Sequence, residues 1–161
     1  MKEILSLILV LVISTAVQST EDIYGIVVSV VDGDTVSLKA DDTTHKIRLA
    51  EIDTPERDQP YGLTASSALT DLLLGHRVRV KVVKENDRYG RLIGLIFIDG
   101  KDVSAHMVEH GHAMVYRRYL TDKSLLGLEA NAKHKKLGLW GSPEEEIVPP
   151  WVWRSRNRKK N

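Results

Sequence analysis

The stretch from Asp32 to Glu56, D-G-D-T-V-S-L-K-A-D-D-T-T-H-K-I-R-L-A-E-I-D-T-P-E, constrains the fold more than any other part of the chain. Asp32-Gly33 is a tight-turn signal, because glycine takes positive φ at little steric cost and aspartate tolerates it. Apolar, β-branched runs flank the turn, I23-Y-G-I-V-V-S-V-V31 before it and T35-V-S-L38 after it. That pattern predicts a hairpin. A third strand is expected from His45 to Ile52, stopped at Thr54-Pro55. Proline cannot donate to a ladder and keeps the residue before it out of the helical region. Asp34 then sits just past one turn and Asp53 at a strand end, two points that a small antiparallel sheet can bring side by side.

Two carboxylates and a turn carbonyl are hard oxygen ligands that suit a hard dication such as Ca²⁺, with water and substrate completing the shell. Two negative charges balance that dication, so an anionic phosphate can still join it. Glu56 follows Asp53 by three positions. It can lie close to the ion without binding it and take a proton from a water. Arg48 stands between Ile47 and Leu49 in an apolar strand, where a guanidinium facing the site can fork onto phosphate. Each feature alone has a plainer reading as a surface turn, a capping aspartate or a solvent-facing arginine. Their order and spacing make the joint reading the stronger one.

The remaining chain supplies two more strands and about three helices. Ala65, Ala68, Leu69, Leu72 and Leu73 fall at helical spacing within Tyr61 to Leu74, and Gly75 is a suitable stop. Arg77 to Lys84 alternates valine with basic residues, as a half-buried strand does. N86-D-R-Y-G-R91 is a polar turn leading into L92-I-G-L-I-F-I98, a second hairpin that lets Arg91 face the site. A short helix is expected over Asp102 to His110 and a longer one over Thr121 to Leu137, with Glu129 needing a salt-bridge partner inside it. His106, His110 and His112 read as surface or groove histidines, since no carboxylate spacing accompanies them. Five antiparallel strands with inserted helices fit an α+β fold, a Greek-key barrel of the OB type.

The ends of the chain differ in character from its middle. Lys2, the apolar run Ile4 to Ile13 and the small residues Ser14-Thr15-Ala16 resemble an export signal at residues 1–19, with cleavage near Ala16. That run is short of the ~20 apolar residues a membrane span needs. Residues 20–141 form the expected domain, and 142–161 an acidic, proline-containing linker with a basic, tryptophan-containing tail. Arg154, Arg156, Arg158, Lys159 and Lys160 make that tail basic, although the formal net charge of the whole chain is only +1. Aromatic and basic residues interleaved in this way suit nucleic acid. The chain has no cysteine, so disulfides, thiolate metal sites and a cysteine nucleophile are excluded.

D32-G-D-T-V, R48 within I-R-L, I52-D-T-P-E56 and D87-R-Y-G-R91 occur in an order and spacing that resembles the staphylococcal (micrococcal) nuclease family. The likeness runs from about Ile23 to Trp140. It implies Ca²⁺ held by the side chains of Asp34 and Asp53 and the backbone carbonyl of Thr54. It implies Arg48 and Arg91 as the catalytic, phosphate-binding arginines and Glu56 as the general base. Tyr89 resembles a family tyrosine near the nucleotide phosphate. The family also carries a base-stacking aromatic near A113-M-V-Y-R-R-Y119, for which Tyr116 and Tyr119 compete, and Tyr116 is taken as the candidate. The connection R57-D-Q-P60 is short where well-known members carry a longer, Lys-rich loop.

The resemblance implies an exported, Ca²⁺-dependent phosphodiesterase that acts on DNA and RNA as a monomer. Water attacks phosphorus in line, the 5′ oxygen leaves, and 3′-phosphate ends remain. Three alternatives stay beside it: a catalytically silent OB module that binds single strands, an interaction domain tethered to a membrane by an uncleaved N-terminus, and a nuclease using another metal.

Overall fold

The computed structural model describes residues 22–158. The expected export segment, residues 1–19, lies outside the described residues, as do Lys159 and Lys160. In chain order the elements are β1 (Ile23–Asp32), β2 (Thr35–Ala40), β3 (Thr43–Leu49), β4 (Ile52–Asp53), α1 (Gly62–Leu73), β5 (Arg77–Lys84), β6 (Leu92–Ile98), β7 (Lys101–Asp102), α2 (Val103–Glu109), β8 (Met114–Val115), α3 (Ser124–His134) and α4 (Pro150–Arg158). Among the described residues no helix is long and apolar enough to cross a membrane.

The sheet runs β3-β2-β1-β5-β6-β7, and β3 also pairs with β6, which closes five strands into a barrel. All neighbouring pairs are antiparallel except this closure, where Ile47 lies beside Leu92, Arg48 beside Ile93 and Leu49 beside Gly94 in parallel register. The architecture is the expected α+β barrel with helices, and α4 adds a helix where a linker and tail were expected. Alternation drives the closure: Val27, Val36, Leu38, Ile47, Leu49, Val78, Val80 and Ile96 all point inward. Leu69 and Leu73 of α1 and Met107 of α2 plug the same core. Each such side chain contributes roughly 1.5–3 kcal/mol by leaving water.

Two sequence expectations change on inspection of the backbone. The third strand does not reach Ile52 but ends at Leu49. Ala50 donates its amide to the Gly94 carbonyl at 2.9 Å. Glu51 then takes φ +67°, a left-handed conformation that cannot continue a ladder. Ile52–Asp53 start afresh as β4 and pair with β8, Ile52 opposite Val115 and Asp53 opposite Met114. The buried Glu51 carboxylate accepts the amides of Thr121 (2.7 Å) and Asp122 (3.1 Å) and the Thr121 hydroxyl, so the bend is tied to the loop before α3.

The second change concerns Gly33. It is absent from the glycines with positive φ. A Cβ at this position would instead stand 2.7 Å from Thr54 Oγ1 and 3.0 Å from the Ala65 Cβ. Glycine is needed here so that the β1–β2 turn can press against Thr54, which sets Asp34 beside the end of β4.

Candidate active site

Local chain geometry aims each carboxylate of the site. After the β1–β2 turn, the Asp34 amide bonds Asp32 Oδ1 at 3.1 Å, and the Asp34 carbonyl accepts from Leu49 N at 2.8 Å. Its side chain accepts from Thr35 Oγ1 at 2.9 Å and from the Thr54 amide at 3.4 Å. Asp53 follows from β4. Glu56 is fixed by the next turn, where its amide bonds Gln59 Oε1 at 3.2 Å and its carbonyl accepts from Gln59 N at 2.9 Å. Any Cβ at Gly62 would lie only 1.8 Å from that Glu56 carbonyl oxygen. The start of α1 therefore passes directly beneath the Glu56 turn.

Arg48 ties the two aspartates together. Its Nη2 lies 3.2 Å from Asp34 Oδ2 and 3.0 Å from Asp53 Oδ1, while Nη1 donates to the Leu49 carbonyl at 2.7 Å. Burial opposes its charge, but Asp34 and Asp53 outweigh that and hold the guanidinium protonated. Asp34 is 6% exposed and Asp53 1%. Two buried acids this close repel each other. Burial raises the Asp53 pKa and Asp34 raises it further, with Arg154 and Arg48 pulling the other way. Burial and the Asp34 charge likewise push Asp32 up to about 6.

The donor set fits a hard cation. Asp34 and Asp53 bring carboxylate oxygens to the same Arg48 nitrogen, and the Thr54 backbone follows directly on Asp53. Among the described residues no group of three or more His, Cys, Asp or Glu side chains could hold a metal. A site here would therefore rest on two carboxylates, a carbonyl and water, the oxygen-rich shell that Ca²⁺ accepts.

Arg91 reaches the rim of the site from the start of β6. Its Nη1 lies 3.4 Å from Thr35 Oγ1, and Thr35 is the register partner of Arg48. Asp87 sets its orientation, accepting Arg91 Nε at 2.9 Å and Nη2 at 2.7 Å. The Arg91 bond and neighbouring amides overcome the effect of burial and hold Asp87 below the usual carboxylate range. Asp87 was not singled out from sequence; its signal was the four-residue spacing within D87-R-Y-G-R91. Tyr89 is 65% exposed and lies beneath the Arg91 and Arg88 guanidinium groups, at 5.2 and 4.7 Å from its ring centroid.

Tyr116 follows β8 and meets Tyr119 edge-on, with centroids 5.1 Å apart. Its face is covered by Trp151 of α4, 5.4 Å away at an interplanar angle of 10°. The same helix delivers a residue that sequence reasoning missed. Arg154 Nη2 lies 2.7 Å from Asp53 Oδ2, and Nη1 lies 3.1 Å from Asp53 Oδ1 and 2.6 Å from Glu56 Oε1. Burial opposes the Arg154 charge, and the two acids more than restore it. Asp34, Arg48, Asp53, Thr54 and Glu56 thus form one cluster, with Arg91 and Tyr89 at one rim and Tyr116 under the tail helix. His106, His110 and His112 stack apart from this cluster, and His112 Nδ1 is 2.9 Å from the Tyr61 hydroxyl.

The sequence profile of the family described as staphylococcal nuclease homologue matches residues 46–142. A protein of Escherichia coli O157:H7 named "uncharacterized endonuclease" is 41% identical over 136 residues, covering 84% of this chain and 87% of that protein. A Shigella flexneri protein named "micrococcal nuclease" is 35% identical over 158 residues, covering 91% of this chain and 89% of that protein. The Arabidopsis thaliana protein named "staphylococcal-like nuclease CAN1" is 40% identical over 116 residues, which is 72% of this chain but 35% of the plant protein.

Proposed function

The chain belongs to the staphylococcal nuclease family and is a nuclease of phosphodiester bonds; we propose how its side chains divide that work. The observation that carries the division is that one Arg154 nitrogen touches both Asp53 and Glu56, while one Arg48 nitrogen touches both Asp34 and Asp53. Three carboxylates and two arginines from separate elements therefore converge on one spot.

In this reading Asp34 and Asp53, with the Thr54 carbonyl, would hold Ca²⁺. A bound dication would supply positive charge where negative charge grows on the reacting phosphate. Arg48 and Arg91 offer planar forks to the phosphate oxygens from two sides of the site. Glu56 accepts a proton from the attacking water. The water oxygen bonds to phosphorus as the bond to the 5′ oxygen breaks, and that oxygen leaves with the electron pair and takes a proton from solvent. The products are a 3′-phosphate and a 5′-hydroxyl. Tyr89 and Tyr116 flank the path of the strand and contact nucleotides there. Phosphate and base stacking are common to both polymers, so the substrate class includes DNA and RNA. The protein acts as a monomer, and the segment at residues 1–19 directs its export.

Incubating residues 20–161 with denatured DNA tests the reading. Cleavage is expected with Ca²⁺ and is expected to stop in chelator, and the products should carry 3′-phosphates that phosphatase removes. Undiminished cleavage in chelator would refute the Ca²⁺ assignment. For export, mass spectrometry of the mature protein should find an N-terminus near residue 17, and an intact Met1 on cytosolic protein would sink that part.

A further inference from the structure

The C-terminal helix is docked into the site by several separate contacts. Arg154 grips both oxygens of Asp53 and one of Glu56. Trp151, one helical turn earlier, lies flat on Tyr116. Trp153 Nε1 donates to Asp58 Oδ1 at 3.2 Å, and Gln59 Nε2 donates to the Val148 carbonyl at 2.5 Å. Pro150, which opens the helix, is buried. The polar and ring contacts fall on the Asp53 to Gln59 turn or on Tyr116. By contrast Arg156, at the far side of the helix, is exposed.

The docked groups match a substrate complex in chemistry. A guanidinium sits on Asp53, one of the two carboxylates that would hold a dication, and on Glu56 beside it, and an indole stacks on the ring proposed for a nucleobase. Neither place can be shared. Both Asp53 oxygens are engaged by Arg154, and a flat group on Tyr116 occludes the face that Trp151 covers. We infer that helix α4 is a built-in competitor, an autoinhibitory segment in which Arg154 displaces the cation and Trp151 displaces a base. This rests on the site reading above and adds its regulation.

The energetics follow from population. A tethered ligand competes at a high effective concentration set by its short linker. If the docked form holds 90–99% of the molecules, apparent affinity for a competing ligand falls by about 10- to 100-fold. Dication and strand together loosen the helix, because each takes the place of one of the groups it inserts into the site, Arg154 or Trp151. A released helix then offers Arg154, Arg156 and Arg158 to the polyanion.

Titration calorimetry of Ca²⁺ into the full chain, with Arg154→Ala, Trp151→Ala and Asp53→Ala compared to wild type, tests the inference. Arg154→Ala is expected to bind Ca²⁺ about 10-fold or more tightly. Trp151→Ala should show a smaller gain in Ca²⁺ affinity, but a clear gain for a short oligonucleotide. In the wild type, the Trp153 indole N–H resonance should shift when Ca²⁺ and oligonucleotide are added together. If Asp53→Ala abolishes Ca²⁺ binding but Arg154→Ala leaves it unchanged or weaker, the helix is no competitor and the metal reading survives. Unchanged Ca²⁺ affinity in Asp53→Ala would overturn both. A lower turnover of Arg154→Ala at saturating Ca²⁺ would make Arg154 a helper and would also overturn the inference. Circular dichroism confirms that each variant is folded.

Discussion

Two acids of this protein are shielded from solvent and respond in opposite ways. Glu129 in α3 is 2% exposed and Asp53 in β4 is 1% exposed. Glu129 receives the Val115 amide at 2.9 Å, Arg117 at 2.8 Å and Lys133 at 2.9 Å. Burial alone would raise its pKa, but Lys133, the amide and Arg117 outweigh it and hold the carboxyl below its ordinary value. Asp53 has two guanidinium partners, Arg48 and Arg154, and still ends up raised. Burial raises Asp53 most, and a second acid adds to it: Asp34 shares the same Arg48 nitrogen, whereas among the described residues no other carboxylate pairs with Arg117 or Lys133 beside Glu129. A lone buried acid among cations ties the fold together, whereas a buried pair carries a charge surplus that invites a ligand.

The sharpest way to break this comparison is to change the acid proposed to do chemistry. Glu56→Gln keeps size and hydrogen bonding but removes basicity. Its cleavage rate should fall by roughly 10² to 10⁴, with Ca²⁺ and oligonucleotide binding retained. An unaltered rate would move the general base elsewhere. Next in size, Arg48→Lys or Arg91→Lys keeps the charge and loses the planar fork. Rates measured on denatured DNA should drop by about 10²-fold, the scale of one lost donor to a reacting oxyanion. Loss of binding with unchanged turnover would instead make these arginines grips for the ground state.

Smaller effects separate the structural acid from the functional one. Glu129→Gln should cost about 1–3 kcal/mol of stability, from the weakened charge-assisted bonds around the Val115 amide, and leave Ca²⁺ affinity alone. The pH dependence has a definite sign. A folded carboxyl held below its ordinary value stabilises fully above that value. The wild type's advantage over Glu129→Gln in urea titrations should therefore be complete above pH 4.5, the ordinary value, and vanish as pH falls through the lowered one. An advantage that persists at strongly acid pH would show that packing, not charge, sets it. Smallest of all, Asp34→Asn relieves the like-charge pair, so its melting temperature in chelator should equal or slightly exceed the wild type's even though cleavage is lost. A clear drop in melting temperature would place Asp34 with Glu129 as a structural acid.

What the sequence disclosed was the chemistry carried by short, contiguous motifs. D-G-D-T and I-D-T-P-E announce their turns locally, and the apolar alternation of β5 and β6 announces strands whichever partner they find. The break at Ala50-Glu51 was not legible. It depends on Gly94 and on the Thr121 loop, distant partners that turn an apparently continuous strand into two. Gly33 was read correctly as a turn residue for a reason that does not apply, since its constraint comes from Thr54 across space. Arg154 was hidden most completely, because its partner Asp53 lies 101 positions away in sequence. A basic, tryptophan-containing tail advertises affinity for acids, and nothing local says that the acids are the protein's own.

The parallel closure of β3 on β6 bears on how such a chain can be made safely. Synthesis proceeds from the N-terminus among ribosomal and messenger RNA. Asp34, Arg48, Asp53 and Glu56 are all polymerised early, yet the pieces cannot assemble at that point. Arg48 lies between β2 and β6, so its place is completed only after Leu92–Ile98 has left the ribosome. Asp53 waits longer still, for Met114–Val115 to pair with β4. A nascent chain therefore carries Asp34, Arg48, Asp53 and Glu56 for much of its translation before β6 and β8 can bring them together.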